Sequence, residues 1–329
     1  MVMTKVLKDK RLMIPFFINF DDPDSPRLGW VNSRKLNDNA PFLTDDIFNF
    51  ALNENRDLAH SKLSDLFFME EDIESIPPSG FIFHMSRCGS TLLNNMLKQS
   101  DKNIAVSEPE VLFQLLHVAS EETAPYILEL FKKAVYHLGK KRKEANEHFI
   151  IKFSSASTVF MEYVIRAFPN VPRVFIYRDP AEVLVSNLKN PNQEWVTMER
   201  VLGITAEEMI QQNTLLENFA LGLKRTCEGF ANHFDKQSMA FNYNQLSGQL
   251  FERILEFFKI YPEPEELEKM LSEMQYYSKN RNAKFASDVR KKQAKASPAV
   301  RQMAAQHLQE VYDKLESLRT ELVQEEITI

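Results

Sequence analysis

The sequence predicts an α/β protein built on a mostly parallel sheet with helices on both faces. Three observations lead there. Short apolar, β-branched runs alternate with longer helical patterns from residue 81 onward, as a buried parallel sheet requires. Phe81-Ile-Phe-His-Met85 has the look of a buried strand that breaks at Ser86-Arg87-Cys88-Gly89-Ser90-Thr91, and an amphipathic stretch, Leu92-Leu93-Asn-Asn-Met96-Leu97, follows at once. Arg173-Val-Phe-Ile-Tyr-Arg178 repeats the scheme: a strand ends on an arginine, Asp179-Pro180 turns the chain, and Ala181–Ser186 has a helical pattern.

Taken in order, residues 1–78 form an accessory N-terminal region, expected to be mainly helical and packed on the core. Asp21-Asp-Pro-Asp-Ser-Pro26 is turn-rich, and Thr44-Asp-Asp-Ile47 has the form of a helix cap before Phe48-Asn-Phe-Ala-Leu52. The core spans 79–278. Its predicted strands are Phe81–Met85, Ile104–Ser107, Phe149–Phe153, Val174–Tyr177 and Met239–Tyr243. Its predicted helices include Ala124–His137, Val159–Ala167, Ala181–Leu188 and Ala206–His233. Residues 279–329 hold a basic segment, with Arg290, Lys291, Lys292 and Lys295 among its cations, and a long helix from Ser297-Pro298 to near Glu321.

Composition narrows the class. The chain has 329 residues, 44% hydrophobic and 26% charged, as in ordinary globular proteins. A net charge of −6 argues against general nucleic-acid binding and confines positive charge to a local cleft. No apolar run approaches the ~18 residues of a membrane span, and the first residues lack a secretory pattern. With Cys88 and Cys227 the only cysteines, a reducing cytoplasm is the expected compartment.

A strand, a tight turn and a helix start together build an anion site, because the first helical N–H groups lack intrahelical partners and the helix dipole adds positive charge. Ser90 and Thr91 add hydroxyl donors, Arg87 supplies a fixed charge, and Gly89 lets the backbone close on a phosphate. The nucleotide loop G-x-x-x-x-G-K-[ST], aligned on Gly89, would place His84 at the first glycine and Ser90 at the lysine. ATP-type phosphoryl transfer therefore fits poorly, although a small-molecule kinase stays as an alternative.

The segment Arg87-Cys88-Gly89-Ser90-Thr91 resembles the phosphate loop of the sulfotransferase superfamily, in the form found in a bacterial sulfotransferase-like group. The resemblance implies a P-loop-NTPase-like fold and a donor, 3'-phosphoadenosine 5'-phosphosulfate, held by Arg87, Cys88, Gly89, Ser90, Thr91 and Leu92. It further implies that Arg178 and Ser186, eight residues apart, bind the donor's 3'-phosphate. Helical geometry agrees, since two turns would return the Ser186 hydroxyl to the arginine. Tyr243-Asn-Gln-Leu246 is similar to a Tyr-Glu-Asp-Leu segment of the family, with Asn244 replacing its acid, so the likeness runs over about residues 80–260.

Sulfuryl transfer needs a base for the acceptor and cations for the departing phosphate. Glu108 follows the second predicted strand and would project into the cleft at the sheet's C-terminal edge. It looks like the general base of tyrosylprotein sulfotransferases. Lys152, closing the third strand, resembles the family's Lys-Thr-Pro segment and joins Glu108 and Arg87 as a catalytic candidate, although Phe153-Ser154-Ser155 lacks the proline. The basic 279–295 segment either folds over the donor or is a solvated face. Cys88 is expected to be a small loop residue, His84 a satisfied core histidine, and Trp30 and Trp195 packing residues. The scattered histidines imply no metal. The acceptor, a small molecule or carbohydrate-like compound, has no readable code, and a non-catalytic nucleotide-binding protein is the second alternative.

Overall fold

The computed structural model describes residues 12–33, 42–43, 47, 58–68, 74–189, 191–203, 205–277, 280–284 and 289–327. Its strands are β1 (Met13–Asn19), β2 (Arg27–Asn32), β3 (Leu58–Lys62), β4 (Pro78–His84), β5 (Asn103–Ser107), β6 (His148–Lys152), β7 (Arg173–Tyr177), β8 (Ser238–Asn242) and the antiparallel pair β9 (Tyr276–Tyr277) and β10 (Asn280–Lys284). Between and after them run α1 (Ser90–Leu97), α2 (Glu110–His117), α3 (Ala124–Leu138), α4 (Met161–Ala167), α5 (Pro180–Asn187), α6 (Pro191–Leu202), α7 (Ala206–Gln212) and α8 (Leu215–Ala231). The helices α9 (Gly248–Phe257), α10 (Pro264–Ser272), α11 (Val289–Lys295), α12 (Pro298–His307) and α13 (Gln309–Ile327) complete the chain.

β4 to β8 form one parallel sheet in the order β5-β6-β4-β7-β8. Every residue of β7 is buried, as are the last five of β4, because helices cover both faces and an unbroken apolar run is then required. The chain leaves the central β4 toward β5 and later returns past it to β7 and β8, and the C-terminal end of β4 at such a reversal is where open α/β sheets take their ligands. Aromatic layers fill the core. Phe83 stacks on Phe153 with centroids 4.7 Å apart, Phe81 meets Phe153 edge-on at 5.3 Å, and Phe175 stacks on Phe230 at 4.7 Å.

The N-terminal region corrects one expectation. Its described part is an antiparallel sheet, β1-β2-β3, where helix was expected. The run Met13-Ile-Pro-Phe-Phe-Ile18, the turn at Asp21–Pro26 and Gly29 are hairpin signals, and the sheet is buried where β1 packs on α2 and α3 and Trp30 of β2 meets His137 of α3. The side chain of Gln114 on α2 completes the sheet: Ile18 N–H donates to its Oε1 at 2.7 Å and its Nε2 donates to the Ile18 carbonyl at 2.8 Å. Trp30 is buried, donates to Ser61 Oγ at 3.0 Å and meets His137 edge-on. The helix cap at Thr44 and all of Phe48–Leu52 lie outside the described residues.

Three predicted helices are subdivided. The stretch from Val159 opens as a 3-10 turn, Ser155–Phe160, before α4. The span 206–233 breaks at extended Asn213, after which Thr214 caps α8 by accepting from Glu217 N–H at 3.2 Å. The C-terminal helix is interrupted at Leu308, which is fully buried and places Val311 and Leu315 in the same apolar core as the sheet. Tyr177 O–H donates to Glu316 Oε1 at 2.8 Å and Asn242 Nδ2 donates to Tyr312 Oη at 3.0 Å, which ties α13 to the ends of β7 and β8. No helix among the described residues is long and apolar enough to cross a membrane.

Candidate active site

β4 ends at His84, the chain turns through Met85–Gly89, and α1 begins at Ser90. Gly89 has φ +98°, a conformation L-residues rarely adopt, and a Cβ there would meet the Tyr243 ring at 2.4 Å. Ser86, Cys88, Ser90, Thr91 and Leu92 are buried, and Gly89 provides no side-chain cap for the helix. Arg87 itself is left-handed, with φ +58°. Its Nε donates to Ser186 Oγ at 3.3 Å, which brings the two predicted half-sites together across 99 residues of chain.

Arg178 closes this group from the other side. It is buried at the end of β7, and its Nε donates to Glu182 Oε2 at 2.6 Å, one helical turn into α5. The Asp179 side chain caps α5 by accepting from Glu182 N–H at 3.0 Å. Glu182 Oε1 also accepts from Gln293 Nε2 at 2.9 Å, so α11, the helical part of the basic segment, is held against α5 with Lys292 buried. The Arg178 guanidinium lies 5.3 Å from the Tyr243 ring centroid. Tyr243 therefore touches both the loop glycine and the strand-end arginine.

A second group flanks the same loop. Lys152 ends β6 fully buried and donates from Nζ to Glu108 Oε1. Glu108 follows β5 with φ +52°, and its N–H donates to the Lys152 carbonyl at 2.6 Å. Among the described non-glycine residues only Arg87, Glu108 and Lys259 have positive φ. Lys259 merely terminates α9, so the other two are the strained positions of the site. His84 Nε2 stands 3.5 Å from Glu108 Oε1, and its Nδ1 lies 3.1 Å from the Met85 carbonyl oxygen. The Lys152 ammonium is 5.5 Å from the Phe42 ring centroid.

Removal from water pushes the Glu108 carboxyl up, but the Lys152 ammonium and the His84 ring outweigh that and hold it at about 2. Burial pushes the Cys88 thiol up to about 11, although the Lys152 and Arg178 charges both act on it in the opposite sense. A thiol so raised stays protonated near neutral pH, in keeping with a packing role. Among the described residues no group of three or more His, Cys, Asp or Glu could hold a metal ion.

The predicted site residues Arg87–Leu92, Arg178 and Ser186 thus form one group, and Glu108 and Lys152 a second that adjoins it at the same loop. His84, expected to be satisfied in the core, is instead a neighbour of Glu108, and its Nε2 lacks a hydrogen bond. Its placement at a strand's last position, beside the loop, was the available signal. Glu182 was legible from its i, i+4 spacing to Arg178. The ring of Tyr243 reaching Gly89 was not. The side chain of Trp195 lies outside the described residues.

The profile of the family described as Sulfotransferase domain matches residues 77–315. No curated protein matches the chain. Similar solved structures include a sulfotransferase domain from the curacin biosynthetic pathway, 14% identical, covering 71% of this chain and 98% of that one, with a TM-score of 0.43. Others are sulfotransferases from Alicyclobacillus acidocaldarius (12% identical; 74% and 96% covered; TM-score 0.40) and Mycobacterium avium (11%; 80% and 80%; 0.43).

Proposed function

The chain belongs to the sulfotransferase domain family, and from that premise we propose that it transfers a sulfuryl group from 3'-phosphoadenosine 5'-phosphosulfate to a hydroxyl or amine. The observation that carries this reading is the Arg87–Ser186 hydrogen bond, which joins an anion-binding loop to a second cationic pocket containing Arg178. A donor with phosphate groups at two ends of one nucleoside requires two such pockets side by side. The strained, unsubstituted Gly89 and the buried cations Arg178 and Lys152 suit an anionic nucleotide.

The donor supplies an electrophilic sulfur and a phosphate leaving group. The start of α1 and Arg87 hold the 5' end, and Arg178 with Ser186 holds the 3'-phosphate. Glu182 orients the Arg178 fork through Nε. Glu108 takes the acceptor proton. In the unliganded protein Lys152 holds Glu108 as a weak base, and a phosphate that draws Lys152 away raises the basicity of the carboxylate when it is needed. Cations on the departing oxygen stabilise its growing charge.

Thermal shift with 3',5'-bisphosphoadenosine and with ATP tests the donor. The bisphosphate at 100 times its Kd should add about 2.7 kcal/mol of stability. Stabilisation by magnesium-ATP alone would favour a kinase and overturn the reading. Incubation with sulfate-labelled donor and a cell extract then identifies the acceptor; bisphosphate binding with no labelled product from any extract would favour a non-catalytic nucleotide protein.

A further inference from the structure

His84 is the last residue of β4, three positions before Arg87, and is buried. Both its ring nitrogens face oxygen. The Met85 carbonyl, 3.1 Å from Nδ1, is the nearer of the two acceptors, Glu108 Oε1 being 3.5 Å from Nε2, and this contact favours the neutral form with its proton on Nδ1. Nε2 then holds a bare lone pair. It makes no hydrogen bond and stands 3.5 Å from Glu108 Oε1. Two acceptors thus oppose each other across a short gap, and one added proton would turn that opposition into an ion pair while leaving the Met85 contact intact. Only the imidazolium satisfies both sides.

The surroundings keep that proton off at rest. Burial depresses the basicity of the ring, and the Lys152 ammonium on β6 adds to it; the Glu108 carboxylate and the Met85 carbonyl act the other way. Those are the charged and polar groups that face the ring. The balance changes when a proton reaches Glu108. The nitrogen lone pair facing a proton on Glu108 belongs to His84 Nε2, 3.5 Å from Oε1.

We propose that His84 is the proton store of the site, receiving through Glu108 the proton taken from the acceptor; the inference rests on the sulfuryl-transfer reading. As the acceptor oxygen bonds to sulfur and the sulfur–phosphate oxygen bond breaks, the acceptor O–H proton passes to Glu108. The Nε2 lone pair then takes that proton, which restores the carboxylate and leaves an imidazolium between Glu108 and Met85. After product release the proton returns through partly exposed Glu108 to solvent. The 3.5 Å separation tightens as the cleft fills, since catalytic hydrogen bonds are often long in unliganded proteins. His84 acts through Glu108 and is a positioning residue for it.

The test uses the full chain labelled with nitrogen-15, the His84 ring being assigned with His84→Gln. The expected spectrum near neutral pH shows the proton on Nδ1 and a bare Nε2. In Glu108→Gln the protonation midpoint of His84 falls by about one pH unit or more, because the carboxylate that favours the imidazolium is gone. Slow transfer to water, read as labelled sulfate released from the donor, should drop at least ~10-fold in His84→Gln and lose its inflection at the His84 midpoint, with bisphosphate affinity unchanged. A proton on Nε2 at rest, a midpoint indifferent to Glu108→Gln, or an unaltered rate and pH profile in His84→Gln would each overturn the proposal. The wild-type ring spectrum decides even if Glu108→Gln fails to fold, and His84→Asn serves for the assignment if His84→Gln does. Bisphosphate binding judges the donor assignment separately, because the ring is read on the donor-free protein.

Discussion

Gly89→Ala probes the junction on which the two anion pockets meet. At φ +98° an alanine meets the steric penalty of the left-handed region, about 1–2 kcal/mol. The added Cβ would also lie 2.4 Å from the Tyr243 ring, whereas carbon atoms rest at about 3.5–4.0 Å, so the ring must recede by more than an ångström. Overpacking of that kind costs about 1–3 kcal/mol. The expected destabilisation is therefore about 2–5 kcal/mol, a large share of the ~5–15 kcal/mol that holds a typical domain. Because Tyr243 also lies against Arg178, its displacement should weaken bisphosphate binding as well. Urea unfolding followed by circular dichroism measures the first effect and titration calorimetry the second. The double variant with Tyr243→Ala separates the causes: removing the ring relieves the packing share and leaves the φ share, so the two changes should not add. If Gly89→Ala unfolds within about 0.5 kcal/mol of the wild type, or if losing the ring relieves nothing, the close approach has no energetic consequence and the reasoning fails.

Glu108 has its folded-state carboxyl at about 2 against 4.5 unfolded, so its contribution is full above pH 4.5 and is lost as pH falls through about 2. The difference in urea midpoint between wild type and Glu108→Gln should shrink across that acid window; a difference constant with pH would contradict it. Arg178→Lys keeps the charge but loses the planar fork that Glu182 orients, and bisphosphate affinity measured by calorimetry should fall by about 10-fold or more, with undiminished affinity counting against a role in binding. Phe153→Ala empties the aromatic layer shared with Phe81 and Phe83 and should cost about 3–5 kcal/mol in denaturant unfolding.

Local patterns carried much of the fold. A strand that ends on Arg178, the proline turn and the helix through Ser186 are each decided within a dozen residues, so the sequence alone determined them, as it did the loop Ser86–Thr91 between a buried strand and α1. The N-terminal sheet was less legible because β3 pairs with β2 across more than twenty intervening residues, and pairing at that range leaves little local trace. What only the tertiary structure decided is who faces whom. β6 lies between β5 and β4 in space although it follows both in sequence, and this order sets buried Lys152 against Glu108 and brings Glu108 within reach of His84. Strand order arises from crossovers that bury both faces of the sheet, a global packing requirement, so no window of residues encodes the charge state of Glu108 or the unmet lone pair of His84.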